Sequence, residues 1–181
     1  MKYLGFFILL LMPSLFSAFS SKDKPLETVA TVDLKRYAGK WYEVARLPNG
    51  FQKKCAGNVT AEYSLLDDGK IEVVNTCKEA DGKLSVARGK ARVKDEKTNS
   101  KLEVRFAPAF LSFLPLVWGD YWIIELGENY DYAVVASPDR KYFWVLSRTP
   151  EIEETRLREI LQRANEKGFE TDKVTRTKQN L

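Results

Sequence analysis

The sequence predicts an all-β fold: an eight-stranded antiparallel up-and-down β-barrel with one C-terminal α-helix packed on the outside. Three observations predict it. Between Trp41 and Arg148 apolar residues recur with a period of two, broken at short intervals by turn residues, as in an antiparallel meander. Eight such runs can be placed, near 41–47, 58–66, 70–77, 85–94, 101–107, 120–126, 131–137 and 142–148, and eight strands enclose a ligand-sized interior. Gly39 and Trp41 open the first run and Arg148 closes the last, which suits a closed barrel in which first and last strands meet. There the indole can cover one barrel end and the guanidinium can stack on it from outside.

Residues 1–20 carry one cation, Lys2, then an apolar run from Phe6 to Met12, Pro13 and small residues, with Ala18 and Ser20 where a signal peptidase takes small side chains. They read as a signal peptide. The alternative, a membrane anchor, meets an unbroken apolar run shorter than the roughly 20 residues a bilayer span needs. No Cys follows this run, which argues against a lipid-modified N-terminus. Residues 21–32 form an N-terminal extension and 33–181 a single domain, because no linker, repeat or low-complexity tract divides a length that normally makes one core.

The formal charge of +4 is small and its cations are interspersed with acids. No basic run is interleaved with exposed aromatics, so nucleic acid is not implied, while weak attraction to an anionic membrane surface is compatible. Cys55 and Cys77 flank one hairpin. In an oxidising compartment they favour a disulfide worth about 3 kcal/mol; two separate thiols, one of them reactive, are the competing reading.

Asp67-Asp68-Gly69-Lys70 is a strong hairpin turn, and Ser137-Pro138-Asp139-Arg140 joins the last two strands. After Thr149 as N-cap, Pro150 takes the first helical position, Leu157, Ile160, Leu161 and Ala164 recur at helical spacing, and Gly168 ends the helix. Alternation points Trp41, Glu43, Ala45, Val59, Ala61, Tyr63, Leu65, Ile71, Val73, Asn75, Gly89, Ala91, Val93, Leu102, Val104, Phe106, Tyr121, Ile123, Ala133, Val135, Tyr142, Trp144 and Leu146 inward. Several of these are small (Ala45, Ala61, Gly89, Ala91, Ala133), which leaves volume for a cavity. A barrel filled by its own side chains is the other reading.

Gly39 and Trp41 with Tyr42-Glu43, then Asn129-Tyr130-Asp131-Tyr132-Ala133, then Ser147-Arg148 resemble, in order, three signatures of the lipocalin family, and more closely its bacterial lipocalin and apolipoprotein D branch, shared with plant temperature-induced lipocalins. The resemblance runs from about Asp33 to Phe169. It implies a barrel closed at one end that carries small apolar molecules, with Gly39, Trp41, Asp131 and Arg148 in structural roles. It also implies a bacterial envelope location, periplasmic or outer-membrane associated, although bacterial members are often tethered through a lipidated Cys that this leader lacks.

In such a barrel the connection between the fifth and sixth strands lies at the open end. Here it contains Phe110, Leu111, Phe113, Leu114, Leu116 and Trp118, unusually apolar for a surface loop. The preferred reading is a portal that meets a membrane or grips an acyl chain; an inward plug and a partner or homodimer contact are the others. The expected ligand wall comprises Glu43, Ala61, Tyr63, Val73, Asn75, Ala91, Val104, Phe106, Tyr121, Ile123, Val135, Tyr142 and Trp144. Apolar residues with a few polar exceptions suit an acyl chain with one polar head, so fatty acids or lysophospholipids are the expected ligands. Arg46, Lys53 or Lys54 could meet an anionic head near the mouth.

Catalysis is not expected. The chain has no histidine, no Gly-rich phosphate loop and no metal-spaced Cys cluster, so neither metal nor cofactor is implied. A thiol-dependent lipid isomerase would need Cys55 or Cys77 unpaired in the cavity. Monomer and homodimer are both compatible with the sequence.

Overall fold

The computed structural model describes residues 24–179, so the signal-peptide reading of 1–20 lies outside the described residues. Eight antiparallel strands follow one another: β1 (Gly39–Arg46), β2 (Cys55–Leu65), β3 (Ile71–Glu79), β4 (Leu84–Val93), β5 (Lys101–Arg105), β6 (Gly119–Leu126), β7 (Tyr132–Ala136) and β8 (Phe143–Ser147). Each pairs with the next, and β1 also pairs with β8 through Tyr42↔Ser147 and Glu43↔Leu146, which closes the barrel. A short ninth strand, β9 (Thr175–Arg176), lies against β1; the sequence reading did not foresee it.

Among the described residues two α-helices flank the strands. Helix α1 (Leu34–Tyr37) is one turn, capped by Asp33, whose Oδ1 accepts from the Lys35 and Arg36 amides. It too was unforeseen, since four residues carry no periodicity. Helix α2 (Glu154–Glu166) begins later than expected, with Glu153 as N-cap. The Thr149 hydroxyl instead donates to the Glu151 carbonyl at 2.6 Å, holding a local turn that competes with helix initiation. The Leu157, Ile160 and Ala164 stripe of α2 is buried as expected.

The barrel therefore has two apolar cores, one on each side of its wall. Outside, α2 and Phe169 cover Val134, Ala136, Phe143 and Val145. Inside, Trp41, Tyr63, Val73, Leu102, Ile123, Val135 and Leu146 pack together. Ala45, expected to face inward, belongs to the outer core. The β1–β8 register slips between Glu43 and Ala45, and one extra residue turns every later side chain to the opposite face. The same slip puts Arg46 beside Glu43. Leu65, also expected inward, is 43% exposed at the end of β2.

Candidate functional site in the barrel

The two barrel ends are built differently. At the closed end Gly39 adopts φ +92°, a conformation that favours glycine, and a side chain there would come into contact with the Arg148 guanidinium. Trp41 is fully buried and its indole N–H donates to the Tyr37 carbonyl at 2.8 Å. The Arg148 guanidinium lies 3.8 Å from the centre of the indole. It donates to the carbonyls of Lys40 (2.9 Å), Arg36 (2.7 Å), Tyr37 (3.1 Å) and Tyr130 (3.3 Å). Asp131 ties this end to α2 through Arg156.

Just inside, the Tyr121 hydroxyl lies 2.7 Å from that of Tyr37 and 2.8 Å from that of Tyr63. Burial pushes all three up, Tyr63 to about 12. Tyr63 and Tyr121 were expected as polar exceptions in the ligand wall; their hydroxyls are instead engaged with each other at the barrel floor. Val73, Ile123 and Val135, also expected to line a cavity, are 2%, 0% and 0% exposed, so at their level the interior is packed.

Toward the open end the inner wall becomes accessible. Ala61, Asn75, Val104 and Trp144 are partly accessible, and Phe106 and Tyr142 are exposed. Ala91 stays buried. The gap expected at Gly89 is occupied, because a Cβ there would fall 2.7 Å from the Phe106 ring. Tyr142 stacks on Trp144 with ring centres 5.9 Å apart, and Phe51 packs against both.

Between floor and mouth sits a buried polar group. The Glu43 carboxylate, in a residue 3% exposed, accepts from Arg46 Nη1 (2.8 Å), Gln52 Nε2 (2.6 Å) and Thr177 Oγ1 (2.5 Å). The Trp144 indole N–H donates to Gln52 Oε1 at 3.0 Å. Arg46 Nε and Asn75 Oδ1 are buried with no hydrogen-bond partner among the described residues. Leaving such groups unpaired costs about 1–3 kcal/mol each, a deficit that a bound polar group can remove. Arg46 was expected near the mouth and lies inside it. Lys54 instead pairs with Glu79 at the surface, and Lys53 is exposed. Gln52 and Thr177 escaped the sequence reading: one lies in a turn and the other more than a hundred residues from its partner, so neither carries a local signal.

The β5–β6 loop is exposed rather than plugged inward, with Phe110 at 73%, Phe113 at 76% and Leu116 at 96%. Leu111 is half-buried and Leu114 exposed. Trp118 turns aside onto the outer wall, where the Arg92 guanidinium lies 4.1 Å from its ring and its N–H donates to the Ser112 carbonyl. The loop thus keeps Phe110, Phe113, Leu114 and Leu116 in solvent and uses its indole as an anchor.

Cys55 and Cys77 form a disulfide, Cα atoms 5.5 Å apart, across the open-end halves of β2 and β3. No free thiol remains, which corrects the thiol-dependent alternative by removing its nucleophile.

A family profile described as Lipocalin-like domain matches residues 32–179. Temperature-induced lipocalin-1 of Arabidopsis thaliana is 36% identical over 162 residues, covering 88% of this chain and 86% of its own. The outer membrane lipoprotein Blc of Escherichia coli K12 is 38% identical over 159 residues, covering 86% and 85%. Mouse apolipoprotein D is 32% identical over 156 residues, covering 81% and 77%. Among solved structures, insecticyanin from the tobacco hornworm Manduca sexta superposes with a TM-score of 0.67 at 20% identity, covering 87% of this chain and 86% of that one, a likeness of fold. Barrel, end seal and relatives agree: the chain belongs to the lipocalin family, whose members bind small hydrophobic ligands.

Proposed function

We propose that this lipocalin carries a long-chain amphiphile, a fatty acid or a lysophospholipid, and serves in the cell envelope. The observation that carries the reading is the Glu43, Arg46 and Gln52 group, buried between a packed apolar floor and an accessible apolar wall. An acyl chain lies along Ala61, Val104, Phe106 and Trp144, and the polar head meets Arg46 Nε, a buried donor without a partner among the described residues. Burying methylenes at about 0.8 kcal/mol each readily supplies micromolar affinity. The exposed β5–β6 loop is the part that touches a lipid surface, and the name of the Escherichia coli relative supports an envelope setting.

The test is mass spectrometry of gently extracted protein, with titration of tryptophan fluorescence. The expected result is a co-purified fatty acid or lysophospholipid and a fluorescence shift on adding either, since Trp144 belongs to the polar group. Finding neither with a correctly folded barrel removes the carrier reading. A second reading, a protein-interaction surface, rests on the same loop: it stands instead if the loop captures a partner while the barrel takes up no lipid.

A further inference from the structure

The β1–β2 pairing ends at Tyr42↔Thr60, although both strands continue toward the mouth. Two irregularities peel them apart. Asn58 takes φ 48° within a stretch where the β2–β3 register slips, and β1 slips at Val44. Residues 175–179 fill the slot. Ala45 and Arg46 pair with Arg176 and Thr175. The Thr177 amide donates to the Val44 carbonyl (3.0 Å), and the Asn58 amide donates to the Lys178 carbonyl (2.8 Å). The Gln179 side-chain amide bridges the gap, donating to the carbonyls of Glu43 (2.8 Å) and Val59 (3.0 Å).

This segment is also part of the polar group inside. Thr177 Oγ1 donates to Glu43 Oε1 and lies 3.3 Å from Arg46 Nη1. Hydrogen bonds rather than apolar packing hold the segment. Thr175, Arg176 and Lys178 are exposed and Thr177 and Gln179 half-buried, and among the described residues the nearest apolar anchor is Val174, packed on the outer core. The Arg176–Glu154 pair is largely exposed, where ion pairs contribute little.

We propose that residues 175–179 are a movable section of the barrel wall, released to open a lateral slot between β1 and β2 that leads to Glu43 and Arg46. The proposal rests on the carrier reading and adds a route: an amphiphile passes sideways, its head reaching Arg46 without crossing the mouth. Segments held by few buried apolar contacts open without global unfolding. Closure restores the Thr177–Glu43 hydrogen bond and fixes the head site.

The test uses the full chain with dansyl-labelled undecanoic acid as probe, following its dissociation by stopped flow and backbone amide exchange at Asn58 and Thr177. Thr177→Pro removes both the amide that holds Val44 and the hydroxyl that holds Glu43; Thr177→Val removes the hydroxyl alone. In the wild type the Asn58 and Thr177 amides are expected to exchange at least about tenfold faster than the closed-end amides of β1, and probe to slow them. Thr177→Pro should release probe about tenfold faster and Thr177→Val by a smaller factor, with near-wild-type melting. Exchange of both amides only with global unfolding overturns the proposal, as does a folded Thr177→Pro that releases probe at the wild-type rate. If the proline variant does not fold, amide exchange and Thr177→Val decide. A wild type that takes up no probe removes the carrier reading itself, whereas a binding wild type with unaffected variants removes only the movable wall.

Discussion

The closed end and the open end are made by the same strands yet obey different physical rules. At the closed end the donors find acceptors: the buried Trp41 indole has the Tyr37 carbonyl, and the half-buried Arg148 serves four carbonyls. At the open end two strands part, Arg46 Nε and Asn75 Oδ1 stay unpaired among the described residues, and apolar side chains stand in solvent. Saturated bonding and dense packing give one end stability. Unsatisfied polarity and exposed apolar surface give the other something to bind.

If this division is right, substitutions at the two ends should separate stability from binding. The largest effect is expected from Trp41→Ala, which leaves a cavity in the fully buried floor and should cost about 3–5 kcal/mol of unfolding free energy, measured by urea denaturation. Alkaline pH should come next. The folded Tyr63 holds its proton to about 12 while the unfolded chain releases it near 10, so the stabilisation is whole below pH 10 and is lost as pH rises through 12. That window is worth up to about 2–3 kcal/mol, read from unfolding midpoints together with phenolate absorbance. Early ionisation of the buried tyrosines without unfolding would contradict a sealed floor.

Smaller in stability but sharper in meaning is Glu43→Gln. It keeps the shape of the polar group and exchanges the charged hydrogen bond from Arg46 for a neutral one, at a cost of about 1–2 kcal/mol in stability. Binding should shift in favour of free fatty acids, whose carboxylate can then pair with Arg46; competition between fatty acid and lysophospholipid measures it. The smallest stability change, within about 0.5 kcal/mol, is expected from Leu116→Asp at the 96% exposed loop tip. Vesicle co-sedimentation should nevertheless fall. Loss of folding here would mean the loop is core after all.

Much of the closed end was legible because its signals are local or signature-bearing. Gly39, Trp41 and Arg148 suit a strand start and a strand end and gain weight from the alternating runs between them, and period-two alternation assigned most interior residues. The failures have physical causes. Ala45 and Arg46 exchanged faces because one extra residue in β1 inverts the alternation, and a bulge leaves no compositional mark. Val73, Ile123 and Val135 were rightly placed inside but wrongly taken to border free space, since direction along a strand follows from sequence and packing depth does not. Thr149 looked like a helix cap, yet its hydroxyl had a nearer carbonyl to bind.

Taken by itself, the sequence determined the barrel, its closure by Trp41 and Arg148, the outer helix and the apolar loop, because each rests on periodicity or on a residue's own chemistry. Only the tertiary structure decided that Glu43, Arg46, Gln52 and Thr177 form one buried group and that residues 175–179 stand in for part of the wall. Those contacts join residues up to 136 positions apart, and strand register, which no local pattern encodes, brings them together.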